Sequence, residues 1–475
     1  MAYAALPKTR RATLHERFAA WLEPAAADRL AELEEVLAYH LERAFRLREE
    51  LGTVAESDRA LGLRAGRLLA AAGRRAYERS DDPAATSLLR RAASLLPADD
   101  EERLRRLIDL GDALKRRGDF AGAGEEFAEA ATRAAATGER AIQAHAEFEQ
   151  AFLGLMGGAE GEVIAAIVDR LLDNPAARND HVAVAKALHV RGLYHWNLLE
   201  SGEATTFFLR ARDEADQAAD RTARRQAETG LALSLLLGPR PVAEALADVD
   251  AMLEAGRGDR ELEGCLLIAS GRLEAMRGGI DEARRLFELG GARLDELGLV
   301  AIRARWDYFA VEAELAAGDP AAAEQIARRA LETLEAIGAE GFASLVAFAL
   351  AEALYRLGRD DEAELFLARK VPIARPPRFY LALRHRTKAK LLARGGEAAA
   401  AEALARETLS LLDPTDALVL RADAHMSLCE VLLAGDQPDE AKAAAQTAAA
   451  LFEAKGASAY AAVAEATLVK RQQTA

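Results

Sequence analysis

Apolar residues recur at helical spacing along most of this chain. Leu14, Phe18, Trp21 and Leu22 fall at i, i+4, i+7 and i+8, which places one apolar stripe on a helix starting near Thr9. Leu30, Leu33, Leu37, Leu41 and Ala44 form a second stripe that runs to Leu51-Gly52, where the glycine suits a helix stop. Strand-like alternation is scarce, and the dominant residues, Ala and Leu, favour helix. From Ser80 onward a small-residue pattern overlies the helical one. A Gly is followed five residues later by an Ala at Gly118/Ala123, Gly278/Ala283, Gly318/Ala323, Gly358/Ala363 and Gly396/Ala401. In several copies a second Gly stands upstream (Gly111, Gly271) and a second Ala downstream (Ala130, Ala330). The middle Gly suits a tight turn between antiparallel helices, and the flanking small residues let two helical backbones approach closely.

The copies repeat about every forty residues, a period that means stacked helical hairpins. Ala85 lies twelve residues after Gly73, and the same offset separates Gly111 from Ala123, Gly192 from Ala204 and Gly271 from Ala283. The second-helix marks are Ala85, Ala123, Ala165, Ala204, Ala243, Ala283, Ala323, Ala363, Ala401 and Ala441, with Ala165 and Ala243 placed mainly by spacing. This predicts ten hairpins, the first of them ending at Pro97, and a closing helix over Ser458 to Lys470 that covers the last apolar face. The expected organisation is a helical lead-in over residues 1–57 and a repeat array over 58–475.

These marks resemble the tetratricopeptide repeat, which carries Gly or Ala on both helices of a hairpin, then an aromatic and a second Ala. Gly111, Ala123, Phe127 and Ala130 match in one copy, and Gly271, Ala283 and Phe287 in another. The resemblance implies an all-α, right-handed superhelical solenoid. The lead-in narrows it. Ala2-Tyr3, Leu6, Lys8, Arg11, Leu14-His15-Glu16, Phe18-Ala19, Trp21-Leu22-Glu23, His40-Leu41-Glu42 and Glu50-Leu51-Gly52 look like the junction after the ATPase module in two bacterial groups. These are the multidomain class III adenylyl cyclases and the large ATP-binding LuxR-type regulators, in which this segment closes a winged-helix-like subdomain. The chain thus resembles the C-terminal arm of such a protein, without its ATPase and cyclase parts.

Composition and charge then exclude several partners. The formal net charge of −15 argues against nucleic acid or an anionic membrane as the main partner, although Arg384 to Lys390 is locally basic. The two cysteines, Cys265 and Cys429, are too few for a disulfide scaffold and fit a reducing cytoplasm. No targeting signal is visible, and the most apolar stretch, Phe342 to Tyr355, is too short to span a bilayer and contains Glu352.

The search for chemistry is negative. No Gly-x-x-x-x-Gly-Lys-Ser/Thr loop occurs, so ATPase activity does not carry over from the similar proteins. Gly154 to Gly161 is Gly-rich but lies between two helices without a neighbouring strand or Lys, and reads as a loop. His181, His189 and His195 miss the i, i+4 spacing of a helical zinc site. Acidic clusters such as Asp99-Asp100-Glu101-Glu102 and Asp360-Asp361-Glu362 stand where helices start and read as caps. No catalytic, metal or cofactor residue is assigned.

In tetratricopeptide arrays the first helix of each hairpin lines the concave face. Transferred through the Gly marks, that register points Lys186, His189, Trp196, Asn197, Arg272, Arg305, Tyr308, Glu312, Phe348, Glu352, Tyr355, Arg386 and Lys390 into a groove. A one-residue slip of register would turn the same side chains into the packing between hairpins. The expected function is a non-enzymatic protein-binding or peptide-binding scaffold in bacterial cytoplasmic signalling. The alternative is a sensor arm that closes around a small-molecule inducer.

Overall fold

A computed structural model of the protein describes residues 6–25, 30–52, 54–156, 161–175, 177–371 and 376–472. Among them the secondary structure is helix throughout, with no strand. Two lead-in helices, α1 (Lys8–Ala25) and α2 (Leu30–Glu49), precede α3 (Glu56–Glu78) and α4 (Asp82–Ala93), then α5 (Glu101–Arg116), α6 (Phe120–Thr137), α7 (Arg140–Met156) and α8 (Gly161–Leu172). Next come α9 (His181–Asn197), α10 (Ser201–Gln217), α11 (Arg221–Leu237), α12 (Val242–Ala255), α13 (Arg260–Arg277), α14 (Ile280–Glu296), α15 (Val300–Ala317) and α16 (Pro320–Ala336). The series ends with α17 (Glu340–Arg356), α18 (Asp360–Leu367), α19 (Arg378–Arg394), α20 (Ala398–Leu412), α21 (Leu418–Ala434), α22 (Pro438–Lys455) and the closing helix α23 (Ser458–Gln472). After the lead-in this order is ten helix pairs and a cap, as the spacing predicts. The chain forms two compact units, residues 1–150 and 151–475. Of the Gly154 to Gly161 segment expected as a loop, Gly154 to Met156 end α7 and Gly161 begins α8, and residues 157–160 lie outside the described residues.

The turns explain the glycine rhythm. Gly118, Gly278, Gly318, Gly358 and Gly396 all have positive φ, between 74° and 100°, a conformation that costs other residues about 1 kcal/mol. The sequence reading saw half of this pattern. Gly258, Gly298 and Gly338 are left-handed as well, so from Gly258 to Gly358 a left-handed glycine stands at every helix end, twenty residues apart. The first series turns the chain within a hairpin and the second turns it between hairpins.

The upstream glycines make room for a side chain on the second helix. A Cβ on Gly111 would stand 2.4 Å from Phe127, and one on Gly192 2.5 Å from Phe208. The Ala marks are the other half of the contact: Ala85, Ala123, Ala204, Ala283, Ala323, Ala363, Ala401 and Ala441 are all fully buried. Ala165 is buried too. Ala243 is a correction. It is exposed, and Val242 and Ala245 face inward instead, because Pro241 opens α12 and sets its register. Capping completes the hairpins: Asp81, Asp119, Asp180, Asp220, Asp259 and Asp319 each precede a helix and accept a backbone N–H with the side chain. Asp100 does the same for α5.

In the first unit the lead-in packs on the first hairpin, with Ala19, Leu22, Leu37, Leu41 and Ala65 in one core. Its expected apolar stripe is turned outward. Ala12, His15, Ala19 and Leu22 are the buried face of α1, whereas Leu14, Phe18 and Trp21 are exposed. Small side chains win the inner face because they let α1 and α2 lie close. Among the described residues no helix is long and apolar enough to cross a membrane. Phe342 to Tyr355 belongs to α17, a helix buried among its neighbours.

A Gly→Ala change in a helix ordinarily stabilises by about 0.5–1 kcal/mol. Gly111→Ala is expected to reverse that sign and destabilise by about 1–3 kcal/mol, because Phe127 occupies the space. Urea unfolding of this variant checks the packing; a stabilised protein would refute it.

Candidate functional site

The first helices of successive hairpins in the second unit, α9, α11, α13, α15, α17, α19 and α21, stack side by side. Side chains on their inner faces are therefore brought together from distant parts of the sequence. The row also closes on itself, since α11 touches α21 and α13 touches α23. In this closed arrangement most of the residues expected to line a groove are buried.

At the centre lies a network of buried charges. Glu312 accepts from Nη2 and Nη1 of Arg386 at 3.0 and 3.3 Å, and Arg386 lies 3.7 Å from Asp423. Glu352, fully buried, accepts from Lys390, from Thr387 Oγ1 at 2.7 Å and from Arg356 at 2.9 Å. Burial opposes ionisation of Glu352, yet Lys390, Arg356 and Arg386 outweigh it and hold the carboxyl well below the usual range. Burial opposes ionisation of Glu312 as well, yet Arg386 and Arg272 outweigh it and leave the carboxyl below its ordinary value. Asp423 behaves oppositely. Burial raises its carboxyl to about 6, because Arg386 and Arg272 offset desolvation only in part and Glu312 adds repulsion.

The remaining expected residues divide. Trp196 packs edge-on against Phe379 at 5.2 Å and donates Nε1–H to Leu233 O at 3.1 Å. Tyr308 meets the same Phe379 ring at 5.8 Å, and burial pushes its hydroxyl well above the ordinary range. Tyr355 donates to Glu430 and lies under Arg394 and Lys390. Arg272 donates to Tyr460. Phe348 is fully buried in helix packing, and Arg305 stacks on Phe342 of the following hairpin at 4.7 Å. Lys186 is buried, His189 packs on Phe208, and Asn197 returns its amide to Leu193 O at 2.9 Å, all close to their own hairpin. The basic run from Arg384 to Lys390 is largely neutralised, with Lys388 on Glu364 at 2.7 Å beside the buried pairs of Arg386 and Lys390. His181 and His195 face Glu214 and Glu200. Among the described residues no three His, Cys, Asp or Glu side chains could hold a metal ion.

Sequence reasoning missed Phe379, Asp423, Glu430, Tyr460, Asp416 and Lys455. Asp423 and Glu430 lie on α21, whose Gly mark is displaced by one residue, and the others lie at helix ends, where a helical register assigns no inner face. A small cavity opens beside the network, with Leu236, Leu237, Met276 and Phe309 as apolar wall and Arg272, Tyr308, Glu312 and Asp423 as polar wall.

Two predictions follow from the charges. Glu352→Gln leaves Lys390 without its carboxylate and is expected to cost about 3 kcal/mol or more in urea unfolding. Asp423 titrates at about 6 in the fold and near 3.8 when unfolded, so its contribution is full below pH 4 and is lost as pH rises through 6. Asp423→Asn should remove that loss, read as a flatter stability profile between pH 4 and 6.

No protein-family model matches the sequence, and no curated protein matches it. Among solved structures, the chain is similar to the crystal structure of yeast Tom70, with 14% identity and a TM-score of 0.32 over 95% of this chain and 96% of that one. It is likewise similar to the crystal structure of the APC/C hetero-tetramer Cut9–Hcn1, with 12% identity and a TM-score of 0.32 over 94% of this chain and 96% of that one.

Proposed function

We propose that this chain is a non-enzymatic protein-interaction arm of a bacterial cytoplasmic signalling protein, and that it holds its partner on the outer face of the lead-in. One observation carries the reading. Leu14, Phe18, Trp21, Val36 and Tyr39 are 38–61% exposed, and they join across α1 and α2. Phe18 meets Trp21 at 5.5 Å and His40 at 4.3 Å, and His40 meets Tyr39 at 5.3 Å. Aromatic side chains are costly to leave in water and are the usual anchors of protein interfaces. Arg10 and Arg17 are exposed on the same stripe of α1, so the fitting partner presents apolar side chains among carboxylates. The resemblance of the lead-in to the cyclase and LuxR-type regulators supports the signalling setting.

Trp21 is the exposed one of three tryptophans, Trp196 and Trp306 being buried, and so reports on this face. Titration with an amphipathic helical peptide of leucine and glutamate should shift its emission to the blue, and a leucine and lysine peptide should not. Phe18→Ala should weaken binding about tenfold or more. Equal response to both peptides, or ATP hydrolysis by the clean protein, would overturn the reading.

The second reading is a small-molecule inducer held between the apolar wall and Arg272, Tyr308, Glu312 and Asp423, where the closed fold has room for about one water, so an inducer would have to open the site. Native mass spectrometry tests it: a retained compound that is lost in Arg272→Met would establish it, and apo mass alone would count against it.

A further inference from the structure

The second unit is closed by a seam unlike the seams between its hairpins. Hairpin seams are built from buried Ala, Leu and Phe, for example Ala401, Ala405, Leu428 and Ala441. The closing seam adds to a few apolar contacts, Trp196 on Phe379 among them, a set of hydrogen bonds between residues about two hundred positions apart. Lys455, fully buried at the end of α22, donates its three ammonium hydrogens to Leu235 O, Gly238 O and Arg240 O at 2.8, 2.7 and 2.7 Å. Asp416, just before α21, accepts from Ser201 N and Gly202 N at 2.8 and 2.7 Å. Arg378 reaches Leu198 O and Glu200, Arg272 donates to Tyr460, and Ser458 reaches Arg277 O.

The two strongest of these contacts follow the helix dipoles. Lys455 places a cation on the open carbonyls at the C-terminal end of α11, and Asp416 places an anion on the open amides at the N-terminal end of α10. The N-cap residue Glu200 makes no capping bond with its side chain, and Asp416 takes that place. Lys455 is held by backbone carbonyls, and burial pushes its ammonium down to about 7, with Arg272 adding repulsion and Asp416 attraction. The hydrogen-bonded part of the seam loses little on parting, since water replaces each bond and relieves the desolvated charges. Behind it stand Arg272, Glu312, Arg386 and Asp423, charged groups that gain hydration when exposed.

We infer that these contacts form a clasp that opens as one unit, uncovering the charged inner face while the hairpin stack stays intact. Closed, the second unit hides that face; open, it becomes the concave groove that its repeat pattern describes. The clasp therefore regulates access to the inner face, independently of the aromatic surface on the lead-in.

Hydrogen exchange on the full chain tests cooperativity. Lys455→Met removes one contact, Asp416→Asn weakens another, and Tyr460→Phe deletes a single hydroxyl. In each variant the amides around Ser201–Gly202 and those around Leu235–Arg240 should both exchange about tenfold faster, with α15 to α18 unchanged and the radius of gyration by small-angle scattering increased. If each variant frees only the amides beside its own substitution, the contacts are separate local bonds and the clasp is refuted. Faster exchange throughout α15 to α18 in the mild Tyr460→Phe variant would also refute it, because closure would then be inseparable from the fold.

Discussion

The close approach of one helix to the next is the constraint on which this protein depends. Ala marks such as Ala123 and Ala283 have no exposure, and an aromatic such as Phe127 or Phe208 fills the gap that a glycine leaves on the facing helix. Left-handed glycines reverse the chain so that this contact recurs at a fixed interval. Because each helix pair relies on its neighbours for burial, stability in such an array is largely nearest-neighbour. Copies that lack the turn glycine keep the geometry at a cost: Ser80, Leu199, Ala219 and Asp436 adopt positive φ with a side chain in place.

Apolar stacking fixes how hairpins follow one another, but it does not specify what the inner face of the second unit carries. There the chain buries ions, and each is satisfied by a residue from another hairpin: Glu312 by Arg386, and Glu352 by Lys390 and Thr387. Buried pairs gain little net stability over apolar packing, yet an unmatched charge there is costly. The network thus penalises misaligned stacking of α15, α17, α19 and α21 more than it strengthens the correct one.

The same physics separates the two surfaces assigned a role. The lead-in exposes large apolar groups beside arginines, an arrangement stable in water only at a cost that a partner can relieve. The inner face of the second unit has the carboxylates of Glu312 and Glu352 paired within the chain, so a ligand there competes with existing bonds. Access to that face is a matter of conformational equilibrium, whereas access to the lead-in is immediate.

The sequence by itself determined the helices, their number and the glycine turns within hairpins, because those depend on local properties: the spacing of apolar residues, left-handed glycine and aspartate caps. It also determined the Ala marks, except Ala243, where Pro241 shifts the helix start. On α1 it identified the apolar stripe but not which side of the helix faces the core, where close packing favours Ala12 and Ala19 over Phe18 and Trp21. Only the tertiary structure decided that the inner residues face one another. The contacts of Arg272 with Tyr460 and of Lys455 with the end of α11 join residues 188 and 215–220 positions apart. Such contacts arise from the curvature accumulated over many hairpins, in which small rotations at each helix contact add up, and no local pattern encodes their sum.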